Sequence, residues 1–279
     1  MKKITTRNIA GFKNYLTEEE KSDATIEKYL RDIKAFTEWL GGRQVDKKTV
    51  LEYKAYLVEN YMPASVNSVL SSLNSFFECN EWYDCKVKLL KIQKQLFSSA
   101  EKELTKAEYK RLLCASRRNG DERLYLLMQT ICACGIRVSE LRYITVENLR
   151  REKAHINMKG KMRVVIIPKK LCGMLLKFAR KEKISSGSVF ISKNGNPLDR
   201  SNIWKMMKSL CKTANVAEKK VFPHNLRHLF ARTFYSLRKD VFRLADILGH
   251  SSINTTRIYT METGDVHCKQ IQELGLLVC

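Results

Sequence analysis

The sequence predicts a mainly α protein of the α+β class, built as a helical N-terminal domain and a larger, mostly helical second domain that carries one small antiparallel sheet. Three observations predict it. Only 4 prolines and 12 glycines punctuate 279 residues, so little interrupts helices. Apolar residues recur at i, i+3, i+4 and i+7 over most of the chain. One short stretch, residues 154–168, changes to alternation and β-branched residues, the pattern of a hairpin. Hydrophobic residues make up 44%, enough for real cores and too many for a disordered chain.

The elements follow in order. After Ser22-Asp23-Ala24-Thr25, a stripe of Ile26, Tyr29, Leu30, Ile33, Phe36 and Leu40 marks a helix that Gly41-Gly42 stops. Asp46 can cap the next helix, with Val50, Leu51, Tyr53 and Leu57. Pro63 suits a first turn, and Val66, Val69, Leu70, Leu73, Phe76 and Phe77 follow it. These stripes form a bundle core, with Lys28, Arg31 and Lys34 opposite the first one. Residues 91–104 are polar and charged, which sets expected domains at 1–95 and 105–279 with a linker at 96–104. Thr105 with Glu108 three residues on restarts the helices. The apolar run 124–134 reads as a buried helix. In the hairpin, His155-Ile156-Asn157-Met158 alternates, Lys159-Gly160-Lys161 turns, and Val164-Val165-Ile166-Ile167 returns. Helices are expected again at 171–181, 201–214 and 224–237, with another before Leu248.

Charge points to the partner. Lysine and arginine total 51 against 29 acidic residues, a net of +22. So large an excess repels itself unless a polyanion neutralises it. It is uneven: residues 1–100 hold 16 basic and 13 acidic side chains, a net of +3, and residues 101–279 carry +19. Nine cysteines form no CxxC pair and no zinc-ribbon spacing. With no secretory signal ahead of them, they read as reduced thiols of a cytoplasmic protein. No apolar run approaches a membrane span.

The chemistry-bearing residues lie in the second domain. Gly135-Ile136-Arg137-Val138-Ser139-Glu140-Leu141, Pro223-His224-Asn225-Leu226-Arg227-His228, Leu248-Gly249-His250 and Tyr259 supply two arginines, histidines and a tyrosine. Breaking and rejoining a phosphodiester needs a nucleophile, cations on the non-bridging oxygens, a proton acceptor and a proton donor for the leaving oxygen. Tyr259 suits the first. Arg137 and Arg227 can each grip phosphate bidentately. His224 and His250 can move protons near neutral pH. Lys159, on the hairpin turn, can reach a leaving oxygen. Taken singly, each is ordinary: Arg137 can pair with Glu140, His250 can cap a helix, and Tyr259 can be a packing aromatic. His224 and His228 stand i, i+4, but Asn225 occupies the position where a helical zinc protease has its glutamate.

In order, Arg, Lys, His-x-x-Arg, His and Tyr resemble the tyrosine recombinases, the phage integrase family, over nearly the whole chain. The segment 133–141 resembles the family's first arginine box, with Cys134 where threonine is more usual. Residues 159–163 resemble its hairpin lysine segment, 224–228 its second box, and 248–259 its nucleophile segment. Thr25, Tyr29, Asp32, Ile33 and Phe36 resemble its helical core-binding domain.

The resemblance implies site-specific DNA strand exchange without metal, ATP or other cofactor. Arg137 and Arg227 would bind the scissile phosphate, Lys159 would be the general acid, and His224 would assist proton transfer. His250 would touch the phosphate, and Tyr259 would become linked to a 3′ phosphate. Glu140 would support Arg137, and His228 the fold. Lys28, Arg31, Lys34, Lys161 and Arg163 are the expected DNA contacts, with Lys161 a second candidate for the acid. The implied partners are duplex DNA bearing a specific site, clamped between the two domains, and further copies of the chain. Four copies would assemble on two duplexes through the apolar tail at 265–279. The length matches the short, Xer-like members. Two other readings use the same residues: a silent DNA-binding regulator, and a type IB topoisomerase.

Overall fold

The computed structural model describes residues 2–92, 100–158, 161–192, 194–250, 252–259 and Glu273. The chain divides into two compact units, Met1–Lys94 and Gln95–Cys279. No helix among the described residues is long and apolar enough to cross a membrane. The seven described cysteines are all free.

The first unit holds four helices: α1 (Thr6–Glu18), α2 (Asp23–Leu40), α3 (Lys47–Asn60) and α4 (Pro63–Cys79). Thr5, Asp46 and Pro63 start α1, α3 and α4, the first two through reciprocal capping boxes. Gly41, in the left-handed conformation at φ +57°, ends α2. The apolar stripes meet in one core around Phe12, Phe36, Phe76, Phe77, Leu70 and Leu73, with Trp39 and Trp82 packed at its margin. Leu51, expected on the α3 stripe, is 48% exposed instead.

Lys28 also departs from expectation. Its ammonium lies 2.6 Å from buried Asp32 and donates to the Ser68 carbonyl and the Ser72 hydroxyl. Ser72 in turn donates to Asp32 at 2.7 Å. The ammonium is therefore committed inward, whereas Arg31 and Lys34 are exposed. An amide side chain carries both a donor and an acceptor, so it can pair with a peptide group. Asn74 does so with both backbone groups of Val87, and Asn67 with those of Leu90. These contacts fix the stretch at 87–90, which leads toward the unit boundary.

The second unit opens with α5 (Lys106–Arg118), capped by Thr105 and Glu108, and α6 (Glu122–Cys134). A 3-10 turn at Val138–Tyr143 and the short α7 (Val146–Arg150) precede the hairpin. Strands β1 (Lys153–Met158) and β2 (Lys161–Ile166) pair antiparallel, with Ile156 opposite Arg163 and Met158 opposite Lys161. Lys161 thus stands in β2, where the sequence reading put it in the turn. Its side chain, and all of Lys159 and Gly160, lie outside the described residues. Side chains alternate across a strand: Val165 faces the core, while Met162, Val164 and Ile166 are exposed.

Helix α8 (Lys169–Lys181) follows. The helix expected at 201–214 breaks at Leu210 into α9 (Arg200–Ser209) and α10 (Cys211–Ala214). Then come α11 (Pro223–Arg238), α12 (Val241–Leu248) and α13 (Ile253–Thr256). Helices α6 and α11 pack against each other, and the core gathers Leu127, Ile131, Leu175, Phe190, Ile203 and Leu226. This pairing sets the ends of α6 and α11 beside each other.

Candidate active site

Two helix C-termini and one buried arginine form the centre. Arg227, in the second turn of α11, is 1% exposed. One Nη donates to the carbonyl of Gly135 at 2.6 Å, and the other to that of Leu248 at 2.8 Å. Gly135 and Gly249 are the left-handed C-caps of α6 and α12, at φ +61° and +64°. The carbonyl ends of two helices therefore converge on the guanidinium, where their dipoles favour a cation. Gly135 is also required for space, since a Cβ there would overlap the Phe230 ring.

Glu140 is the one buried carboxylate of this unit among the described residues. It accepts the backbone N–H of Arg137 at 2.7 Å and the Arg137 Nη1 at 3.1 Å. Arg163 binds the same carboxylate, and Arg227 Nη1 lies 4.0 Å from it. Arg137 thus pairs with Glu140, as its spacing allowed, but from the start of a 3-10 turn, and its side chain stays 41% exposed. Three guanidiniums share one carboxylate, which leaves a surplus of positive charge. Burial first, then Arg137, lowers Arg227 to about 10, with Tyr259 and Glu140 acting in the opposite sense. Arg227 remains a cation at neutral pH. Its Nε is buried and has no hydrogen-bond partner in the protein.

The histidines lie next to this cluster. Arginine can only donate, so His250 Nε2, 3.0 Å from Arg227 Nη2, is the acceptor. The ring proton then sits on Nδ1 and is donated to buried Thr256 at 2.8 Å. Burial and the guanidiniums of Arg227, Arg137 and Arg163 hold His250 down to about 4. His228 is also held to about 4, by burial, His224 and Arg227. His224 falls among the exposed residues. Partial burial nonetheless lowers it first, and Arg227, Arg137 and Arg200 lower it further. All three imidazoles therefore favour the neutral form.

Tyr259 is 4% exposed and lies among these rings. His228 meets it edge to face at 4.9 Å between centroids, and His250 stacks at 6.0 Å. His224 contacts His228 edge to face at 4.5 Å. The fold thus brings together Arg137, Glu140, His224, Arg227, His228, His250 and Tyr259 from four separate segments. Lys159 lies outside the described residues.

Two features escaped the sequence reading. Thr256 fixes the His250 tautomer, and nothing in an isolated threonine signals that. Arg163, expected on DNA, has a side chain only 13% exposed and turned onto Glu140. Its place on the buried side of β2, in step with Val165, was the available signal.

Comparison with known proteins bears on the same regions. Residues 102–264 match the family model described as the phage integrase family, and residues 9–82 match that of the phage integrase N-terminal SAM-like domain. The tyrosine recombinase XerA of Thermococcus kodakarensis is 31% identical over 97% of this chain and 95% of its own. The tyrosine recombinase XerD of Pseudomonas aeruginosa is 30% identical over 86% of this chain and 87% of its own. A lambda integrase tetramer bound to a Holliday junction shares the fold, with a TM-score of 0.71 and 17% identity over 91% of this chain and 76% of that one.

Proposed function

Because the chain belongs to the phage integrase family and is a tyrosine recombinase, an enzyme that cuts and rejoins DNA at specific sites, we propose that its own residues divide the reaction as follows. The Tyr259 oxygen attacks the scissile phosphorus. A P–O bond forms to the tyrosine, and the P–O5′ bond breaks. Arg137 and Arg227 hold the non-bridging oxygens as charge develops. His224, which favours its neutral form, assists removal of the tyrosine proton, and Lys159 gives a proton to O5′. A 5′ hydroxyl from a partner strand then attacks the 3′-phosphotyrosine and restores the diester. The bond energy is kept in the intermediate, so no ATP is consumed.

The observation that carries this reading is the surplus of guanidinium charge around Glu140 with Tyr259 lying among its histidines. Such a site suits a doubly coordinated anion. The unpartnered Nε–H of Arg227 is a further donor that a phosphate oxygen would satisfy. For His250 the geometry adds a condition. Its Nε2 lone pair faces Arg227, so direct donation to phosphate requires a proton on that nitrogen.

The reading assigns 1–95 to core binding, 96–104 to the linker and 105–279 to catalysis and docking. It is supported by family matches that end at 82 and resume at 102. Exposed Arg31 and Lys34 serve as phosphate contacts, and the substrate is duplex DNA in the cytoplasm, at the nucleoid. Assembly on two duplexes uses the apolar tail at 265–279, which apart from Glu273 lies outside the described residues. An apolar groove lined by Tyr109, Leu113, Phe230, Phe234 and Leu237 is a surface of the right character for it.

The test is a nicked suicide substrate that traps the covalent adduct. Tyr259→Phe removes only the nucleophilic oxygen and should abolish the adduct while DNA binding in a gel shift stays near wild type. A wild-type adduct yield would move the nucleophile elsewhere, Tyr235 being the next to examine.

A further inference from the structure

We propose that Arg163 is a positioning residue that ties the hairpin to the first arginine turn and to the end of α12. This rests on the reading above. Three segments remote in sequence meet on this one side chain. Arg163 leaves the buried side of β2, opposite Ile156. One terminal nitrogen binds Glu140 Oε2, and the other donates to the carbonyl of Ile247 at 2.6 Å. Ile247 lies in the last turn of α12, three residues before His250. Glu140 in turn holds both the backbone and the guanidinium of Arg137.

The surroundings are shaped for this side chain. A Cβ on Gly249 would stand 2.5 Å from Arg163 Cδ and 3.3 Å from its Nε. Gly249 therefore has two reasons to be glycine, its φ of +64° and the passage of Arg163. A guanidinium fork can serve a carboxylate and a carbonyl at once in fixed directions, which a lysine ammonium does poorly. Arg163 is the third residue of β2, the strand that follows the Lys159 segment in sequence. Holding it against Glu140 and α12 sets where the start of β2 stands relative to Arg137, Arg227 and His250. Misplacing a reacting group by about 1 Å costs roughly a hundredfold in rate.

The experiment uses the full chain and compares two suicide substrates, one with an ordinary phosphodiester and one with a 5′-bridging sulfur. The sulfur leaves without a proton, so it bypasses the general acid. Arg163→Ala should slow single-turnover adduct formation on the ordinary substrate by roughly a hundredfold, with DNA affinity within about threefold of wild type. The bridging sulfur should recover most of that loss. Arg163→Lys should restore only part of the rate, and it carries the same comparison if the alanine variant does not fold.

Normal cleavage by either variant overturns the proposal. So does a fall in affinity that matches the fall in rate, which would make Arg163 a DNA contact. Equal loss on both substrates also overturns it, since the hairpin would then not be what moved. Gly249→Ala probes the same contact from the other side. Its defect should shrink at least about fivefold in the Arg163→Ala background, because contacting residues are not additive; additive defects count against the proposal. If wild type itself forms no adduct, the functional reading fails instead.

Discussion

Asp32 in the N-terminal unit and Glu140 in the C-terminal unit are both buried carboxylates with basic partners, yet their charge balance differs. Asp32 faces one ammonium, from Lys28, and one hydroxyl, from Ser72. Lys28 has its remaining donors on Ser68 and Ser72. The group is neutral and internally satisfied. Glu140 faces Arg137 and Arg163, with Arg227 4.0 Å away. That group carries two surplus charges, and Arg227 keeps a buried Nε–H unsatisfied. A balanced buried pair fixes how helices pack, whereas surplus cations gathered on one buried carboxylate are unfavourable alone and become favourable when an anion arrives. The whole chain repeats the contrast, with +3 on residues 1–100 and +19 beyond.

Neutralising each carboxylate in turn tests the contrast most severely. Glu140→Gln leaves three guanidiniums without their counter-charge. It should lower adduct formation by roughly a hundredfold or more and destabilise the C-terminal unit by about 3–5 kcal/mol. Asp32→Asn should cost about 1–3 kcal/mol in the N-terminal unit, with no change in the cleavage rate of DNA-bound, folded protein. Single-turnover cleavage and urea unfolding of both variants measure this. Equal effects on cleavage would erase the distinction.

Acid should separate the units next. All five histidines lie beyond residue 150. His228 and His250 are held to about 4, and His224 is lowered, against an ordinary value near 6.5. Between these values the unfolded chain binds protons that the folded one does not, so stability rises with pH there. It should be complete above about pH 6.5 and lost as pH falls toward 4, by on the order of 2 kcal/mol for each of His228 and His250. The N-terminal unit has no histidine to respond. A C-terminal unfolding midpoint that stays flat from pH 7 to 5 would show that these imidazoles are not kept neutral.

The smallest effect concerns the join between α11 and α12. Lys239 ends α11 in the left-handed region at φ +52°. Lys239→Gly should stabilise the C-terminal unit by about 0.5 kcal/mol, the relieved strain slightly exceeding the added chain entropy. A shift of the melting midpoint in the other direction would mean that contacts of the Lys239 side chain outweigh the strain.

Much of this was legible in the sequence, for identifiable reasons. The α2 and α4 stripes and the hairpin alternation follow from periodicity, and Thr105, Asp46, Pro63 and Gly41 act as ordinary start and stop signals. The break at Leu210 was not legible, because the residues around it keep helical composition across the kink. Arginine, glutamate and tyrosine at 137, 140 and 259 could be chosen by type and order. The directions of Lys28 and Arg163 could not, since a long basic side chain on an amphipathic element can turn to water or inward. Only the positions of Asp32 and Glu140 decide which. Thr256 is similar: its role depends on which His250 nitrogen faces Arg227.

The placement of the three tryptophans gives the protein a built-in optical separation. Trp39 and Trp82 pack against the aromatic core of the N-terminal unit, whereas Trp204 is 46% exposed on α9. Environment-sensitive emission therefore reports chiefly the unit without the cleavage chemistry, and loss of adduct formation reports the other. A fluorescence trace alone would follow the wrong half of the molecule when variants around Glu140 are ranked. Recorded together on one denaturant series, the two signals show whether the units melt in one step or two, without labels or dissection of the chain.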